Sequence, residues 1–96
     1  MENTVSEDKL DKYFSVTKEA LDMIAEKGVD ESRSEQAHEV LDMATRYHSD
    51  AGHFREKGDW VTAFAALNYA HGWLDCGARL GLFKVKDSRL FTVDDE

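Results

Sequence analysis

The chain has no proline and a single cysteine among its 96 residues. One cysteine excludes an intramolecular disulfide, and with no Cys-x-x-Cys pair there is no thiolate set to hold zinc. No run of about 18 apolar residues occurs, so no membrane-spanning helix is expected. The opening Met1-Glu2-Asn3-Thr4-Val5-Ser6 lacks a basic start and an apolar stretch, so it is not expected to be a signal peptide. Basic residues are also scarce, 12 Lys+Arg against 20 Asp+Glu, for a formal charge of −8. Nucleic acid and anionic lipid are bound by neutralising phosphates with Lys and Arg, so neither is an expected partner. The length suits one domain, and 42% hydrophobic residues suffice for a core without a staple. A cytoplasmic single-domain protein over residues 1–96 is the expectation.

What is present reads as three helices, at about 6–27, 33–57 and 60–81, followed by an extended tail at 82–96. Thr4-Val5-Ser6-Glu7 fits a capping box, with a hydroxyl and a carboxylate meeting first-turn N–H groups that lack helical partners. Leu10, Tyr13, Phe14, Thr17, Ala20, Leu21 and Ile24 then recur at helical spacing, and Gly28 ends the helix. Ser32-Arg33-Ser34-Glu35 offers a second capping box before the stripe of Ala37, Val40, Leu41, Ala44, Tyr47, His48, Ala51 and Phe54. Gly58 closes that helix and Asp59 caps the next. A link this short forces an antiparallel hairpin. Most of the acids fall on the outer faces of the first two helices, whereas the third holds one beyond its cap, Asp75.

The third helix is apolar on two sides. Trp60, Ala63, Phe64, Leu67, His71, Leu74 and Ala78 form one stripe, and Ala66, Tyr69, Trp73, Cys76 and Leu80 a second. Cys76 is therefore expected on an apolar side, as a small hydrophobe. A narrow polar strip of Asn68, Asp75 and Arg79 separates the stripes. Such a helix has neighbours on more than one side. The tail, with its Leu82-Phe83 and Leu90-Phe91 pairs, is expected to lie over the Tyr69/Trp73 side or to pair as an extended strand.

Two histidines fall on core stripes, and equal distances from the hairpin turn put His48 and His71 at nearly the same level. Asp75 lies four residues after His71 and Arg79 four after Asp75, within side-chain reach along one helix. The candidate polar site is thus His48, Asn68, His71, Asp75 and Arg79. It reads either as groups that satisfy one another in the core or as a small-ligand or metal pocket. Its spacing is no metal signature, and neither a metal nor a cofactor is expected. The candidate contact surface is Tyr69, Trp73, Leu80 and Phe83, the apolar remainder that three short helices leave uncovered. Arg46 and His53 form an Arg-x6-His spacing that resembles the nuclease motif of HEPN domains. Here that pair lies on an acidic face with Glu39, Asp42 and Asp50, a poor place for RNA.

The run from Tyr47 to Phe83 carries Asp50-Ala51-Gly52-His53-Phe54, Lys57-Gly58-Asp59-Trp60 and Asn68-Tyr69-Ala70-His71-Gly72-Trp73-Leu74-Asp75. With Tyr13-Phe14 and Ala20-Leu21 upstream, it resembles the archaeal domain of unknown function 357. The resemblance covers about residues 10–85 and implies a small three-helix up-and-down bundle. It brings no activity with it. Relatives that carry this domain beside a cytidylyltransferase-like domain imply an accessory role toward a nucleotidyltransferase-like enzyme, exercised here in trans. Two readings therefore stand: an interaction or accessory module that contacts itself or a partner protein, and a small-ligand protein or enzyme using the polar strip of the third helix.

Overall fold

The computed structural model describes residues 5–91. Its elements are α1 (Glu7–Lys27), a 3-10 turn (Glu31–Arg33), α2 (Ser34–Glu56) and α3 (Trp60–Arg79). This is the all-α, three-helix up-and-down bundle expected, with helix ends within two residues of the sequence reading. No helix among the described residues is long and apolar enough to cross a membrane.

The helix boundaries follow from local chemistry. The Ser6 hydroxyl accepts from the Lys9 N–H at 3.1 Å, and Asp59 accepts from the Thr62 N–H at 3.1 Å. Thr4, the other candidate cap, lies outside the described residues. Gly28 stops α1 at φ 89° and Gly58 turns the α2–α3 hairpin at φ 79°, both in the left-handed region where a side chain is strained. The second capping box does not form. Asp30 instead accepts from the Ser32 N–H and hydroxyl at 3.0 and 2.8 Å, which winds a 3-10 turn, and α2 starts at Ser34 with no side-chain cap. Arg33 pairs with the same Asp30 through Nε at 2.9 Å and reaches the end of α3, where its guanidinium donates to the carbonyls of Leu80 and Gly81 at 2.9 and 3.1 Å. A cation on the last carbonyls of a helix offsets the negative end of its dipole.

Small residues set the hairpin spacing. All the buried residues of α2 are alanines, Ala37, Ala44 and Ala51, seven apart. Buried Ala63, Ala70 and Gly77 repeat on α3 at the same interval. Each pair, Ala51 with Ala63, Ala44 with Ala70 and Ala37 with Gly77, is equidistant from the turn, so small faces small at three levels. Helix α1 rests chiefly on α3. Leu10, Ile24, Leu67 and Leu74 are the large aliphatic plugs between the helices, each 0–1% exposed.

The tail corrects the sequence reading in two respects. After α3, the Leu82 N–H bonds the Gly77 carbonyl at 2.9 Å and the Gly81 N–H bonds that of Ala78 at 3.0 Å, with Gly81 at φ 75°. This pair of bonds reverses the chain at the helix end. Phe83 then bridges Val29, with Asp30 N–H to the Leu82 carbonyl at 2.8 Å and Lys84 N–H to the Gly28 carbonyl at 2.9 Å. The tail therefore crosses to the flank of α3 that carries His71, not the Tyr69/Trp73 side. Phe83, expected on a contact surface, is 2% exposed and belongs to the core. The reason is geometric: the reversal at Gly81 aims the ring at Gly77, which has no side chain to exclude it. Val85, Leu90 and Phe91 are buried along the same path.

Candidate functional site

His71 sits where α1, α3 and the tail meet. Its Nε2 lies 2.5 Å from the carbonyl of Leu90, and its Nδ1 lies 3.2 Å from the hydroxyl of Thr17 on α1. A carbonyl can only accept, so Nε2 carries the proton. In the neutral ring Nδ1 then accepts from the Thr17 hydroxyl. The Phe91 ring stacks on the imidazole at 6.4 Å between centroids, and an Asp75 carboxylate oxygen stands 3.8 Å from Nε2. The tail is held further by Arg89, which donates from both terminal nitrogens to Glu19 of α1 at 2.9 Å. Asp87 folds the chain there by accepting from the Arg89 N–H through its side chain and from Leu90 and Phe91 through its carbonyl. Both ring nitrogens of His71 are thus committed to holding the tail across α1 and α3.

His48 faces α1 one turn away, edge-on to the Phe14 ring at 5.7 Å. The two histidines stand at neighbouring levels, Phe14 against His48 and Thr17 against His71, but each is engaged separately with α1. Nε2 of His48 is buried and has no hydrogen-bond partner. Burial pushes the His48 pKa down, a backbone hydrogen bond with Phe14 opposes the shift, and the Lys18 charge adds to it. A base whose folded pKa is depressed binds its proton more readily when unfolded. Its contribution to stability is therefore complete above the unfolded value of about 6.5 and is lost as the pH falls from there through the lower folded value. We expect the melting temperature to drop between pH 7.5 and 5.5, and His48→Phe to flatten that dependence. An unchanged pH profile in the variant would remove His48 as its source.

Asn68 is exposed on the outer side of α3, and Arg79 is exposed in its last turn. Asn68, His71 and Asp75 line an open cleft of about 320 Å³ together with Tyr13, Val16, Gly72 and Arg89. Arg89 and Thr17, which lie outside the candidate site read from the sequence, supply polar contacts around the tail. Thr17 left a legible trace, since a hydroxyl on an apolar stripe needs a partner. Arg89 left none, because its partner lies 70 residues away. Among the described residues no three His, Cys, Asp or Glu side chains converge on a point that could hold a metal ion. Arg46 pairs with Asp42 at 3.0 Å on the exposed side of α2, and His53 is exposed.

The other flank of α3 is apolar and open. Among the described residues the large hydrophobic side chains left exposed are Val61 (54%), Tyr69 (56%) and Leu80 (58%), all on α3 or at its C-cap. Tyr69 meets the edge of Tyr47 at 4.5 Å and of Trp73 at 6.5 Å between centroids. A shallow groove of about 240 Å³ runs among Asn68, Tyr69, Gly72, Trp73 and Cys76. Cys76, expected on an apolar side as a small hydrophobe, is exposed here. It lies on the solvent side of the second stripe, which the tail leaves uncovered. Gly72 faces open space, with nothing within 4 Å of where a Cβ would stand. Packing within the chain does not demand glycine there, although glycine in a helix costs about 1 kcal/mol relative to alanine.

No curated protein and no solved structure matches the chain. A family model described as "Protein of unknown function (DUF357)" matches residues 12–83, which take in most of α1, all of α2 and α3, and the start of the tail. The chain belongs to this DUF357 family.

Proposed function

We propose that the protein is an interaction module that docks another protein surface on the outer face of α3. The observation that carries this reading is the gathering of Val61, Tyr69 and Leu80 on one helix while the exposed faces of α1 and α2 are charged. Large apolar side chains more than half exposed, set beside an aromatic cluster and rimmed by polar groups, are the composition of a contact site. The family resemblance makes a nucleotidyltransferase-like enzyme a candidate partner. The alternative, acid–base chemistry on the polar strip of α3, is disfavoured because both ring nitrogens of His71 are occupied by Thr17 and Leu90.

Affinity capture from the native cells, with wild type and a Tyr69→Glu/Leu80→Glu variant as baits, tests the reading. Both substitutions replace exposed residues, so the variant is expected to keep its helical spectrum and lose the co-purifying protein. Equal capture by the two baits would place the contact elsewhere.

A further inference from the structure

We propose that the corner between the Tyr69 and Trp73 rings, above Gly72, receives the guanidinium of an arginine carried by the docked protein. The proposal rests on the docking reading above and gives its partner a chemistry. Geometry is the first argument. The two rings stand at 83° to one another with centroids 6.5 Å apart, and Tyr47 backs Tyr69 at 4.5 Å and 71°. They form two walls of the groove of about 240 Å³, with Gly72 as its floor and Asn68 and Cys76 beside it. Nothing stands within 4 Å of where a Cβ of Gly72 would be, so a planar group can approach the backbone between the rings. The fold gains nothing from that opening. A ring face attracts a cation within about 6 Å of its centroid, and the flat, weakly hydrated guanidinium stacks on it well.

Charge is the second argument. Elsewhere the chain covers its rings with its own cations: Lys9 Nζ lies 5.2 Å from the Phe64 centroid, and the Arg55 guanidinium carbon 5.2 Å from that of Phe14. Among the described residues no cation stands over Tyr47, Tyr69 or Trp73, and α3 has no Lys or Arg before Arg79. Carboxylates stand on both sides of the cluster. Asp50 is one turn from Tyr47 on the exposed face of α2. Asp75 lines the neighbouring cleft, which meets the groove at Asn68 and Gly72. With a formal charge of −8 behind them, these groups draw a basic surface and turn away an acidic one. The groove is shallow, so the body of the partner closes it over the guanidinium.

The test is an NMR titration of the protein with a blocked Gly-Arg-Gly peptide and with its citrulline counterpart, at constant ionic strength. Citrulline keeps the shape of the side chain and lacks the charge. The arginine peptide is expected to shift the Gly72 amide and Trp73 indole signals and to bind about tenfold more tightly than the citrulline peptide, or about 1.4 kcal/mol. Tyr69→Leu, at an exposed site, keeps apolar bulk without the ring face and should remove that preference at unchanged helicity. Gly72→Leu should abolish the Trp73 shift while the melting temperature holds or rises. A helical leucine leans toward the preceding turn, where it fills the corner, and it is a better helix former than glycine. Equal binding of the two peptides, a preference that survives Tyr69→Leu, or tighter binding of tetramethylammonium than of the arginine peptide would overturn the proposal. If the peptides bind equally while capture still depends on Tyr69 and Leu80, the arginine is overturned and the docking reading stands. A protein that prefers the arginine peptide but captures nothing overturns the docking reading, and the partner's arginine with it.

Discussion

Gly77→Ala is expected to destabilise the protein by about 1–2 kcal/mol, although alanine is the better helix former. The propensity gain is about 1 kcal/mol, and overpacking a core costs about 1–3 kcal/mol or more where the neighbours are rigid. Here the neighbour is the Phe83 ring, with Cζ 2.8 Å and Cδ2 3.0 Å from where the new Cβ would sit, and Cε2 closer still. The ring cannot swing aside, because Phe83 is 2% exposed and its backbone is bridged to Val29. Any retreat of the ring also strains the bonds from Asp30 to Leu82 and from Lys84 to Gly28. For a domain of this size the loss corresponds to a melting temperature lower by about 5–15 °C. The background matters to the sign. Leucine at 83 ends at its δ carbons and lacks the ε and ζ atoms that obstruct position 77. In a Phe83→Leu protein the same Gly77→Ala change is therefore expected to be neutral or stabilising. Thermal melts of the four proteins in the cycle decide it, and an equal penalty in both backgrounds would show that the ring is not the obstacle.

His71→Leu is expected to cost about 2 kcal/mol and to release the tail. The substitution leaves the Leu90 carbonyl and the Thr17 hydroxyl without the ring, and a buried polar group deprived of its partner costs about 1–3 kcal/mol. Thr17 can turn its hydroxyl back to a carbonyl of its own helix, so the Leu90 carbonyl carries most of the loss. Phe91 also forfeits its stacking partner. Hydrogen exchange separates this from general weakening. The Leu90 and Phe91 amides, bonded to the Asp87 carbonyl, should exchange much faster, while amides near Leu74 should follow only the change in global stability. Uniform acceleration would mean that His71 supports the bundle and does not fasten the tail. Thr17→Val in the His71→Leu background is expected to add little, since the two side chains act as a pair.

These two results concern contacts that sequence spacing could not reach. The helices themselves were legible because their determinants are local. Ser6 and Asp59 cap N–H groups three residues away, Gly28 and Gly58 take backbone angles that other residues avoid, and apolar stripes repeat every three to four residues. The candidate site was legible only along α3, where Asp75 follows His71 by four residues. Arg33 stands as a spacer in a local capping-box pattern, whereas in the structure its guanidinium joins Asp30 to the Leu80 carbonyl at the end of α3, 47 residues away.

The amino-acid sequence by itself determined three amphipathic helices, a tight hairpin between the second and third, and an acidic surface concentrated on the first two. Each follows from interactions within one or two turns of helix, or from composition. Only the tertiary structure decided which flank of α3 is covered. In sequence both flanks are apolar, and burial is non-directional, so hydrophobicity does not choose between them. The choice falls to a missing side chain at Gly77 that admits Phe83, and to Thr17 and Leu90 placed on either side of His71. Once the tail has taken that flank, Tyr69 and Leu80 are left facing outward, with Trp73 half-buried between them and the core.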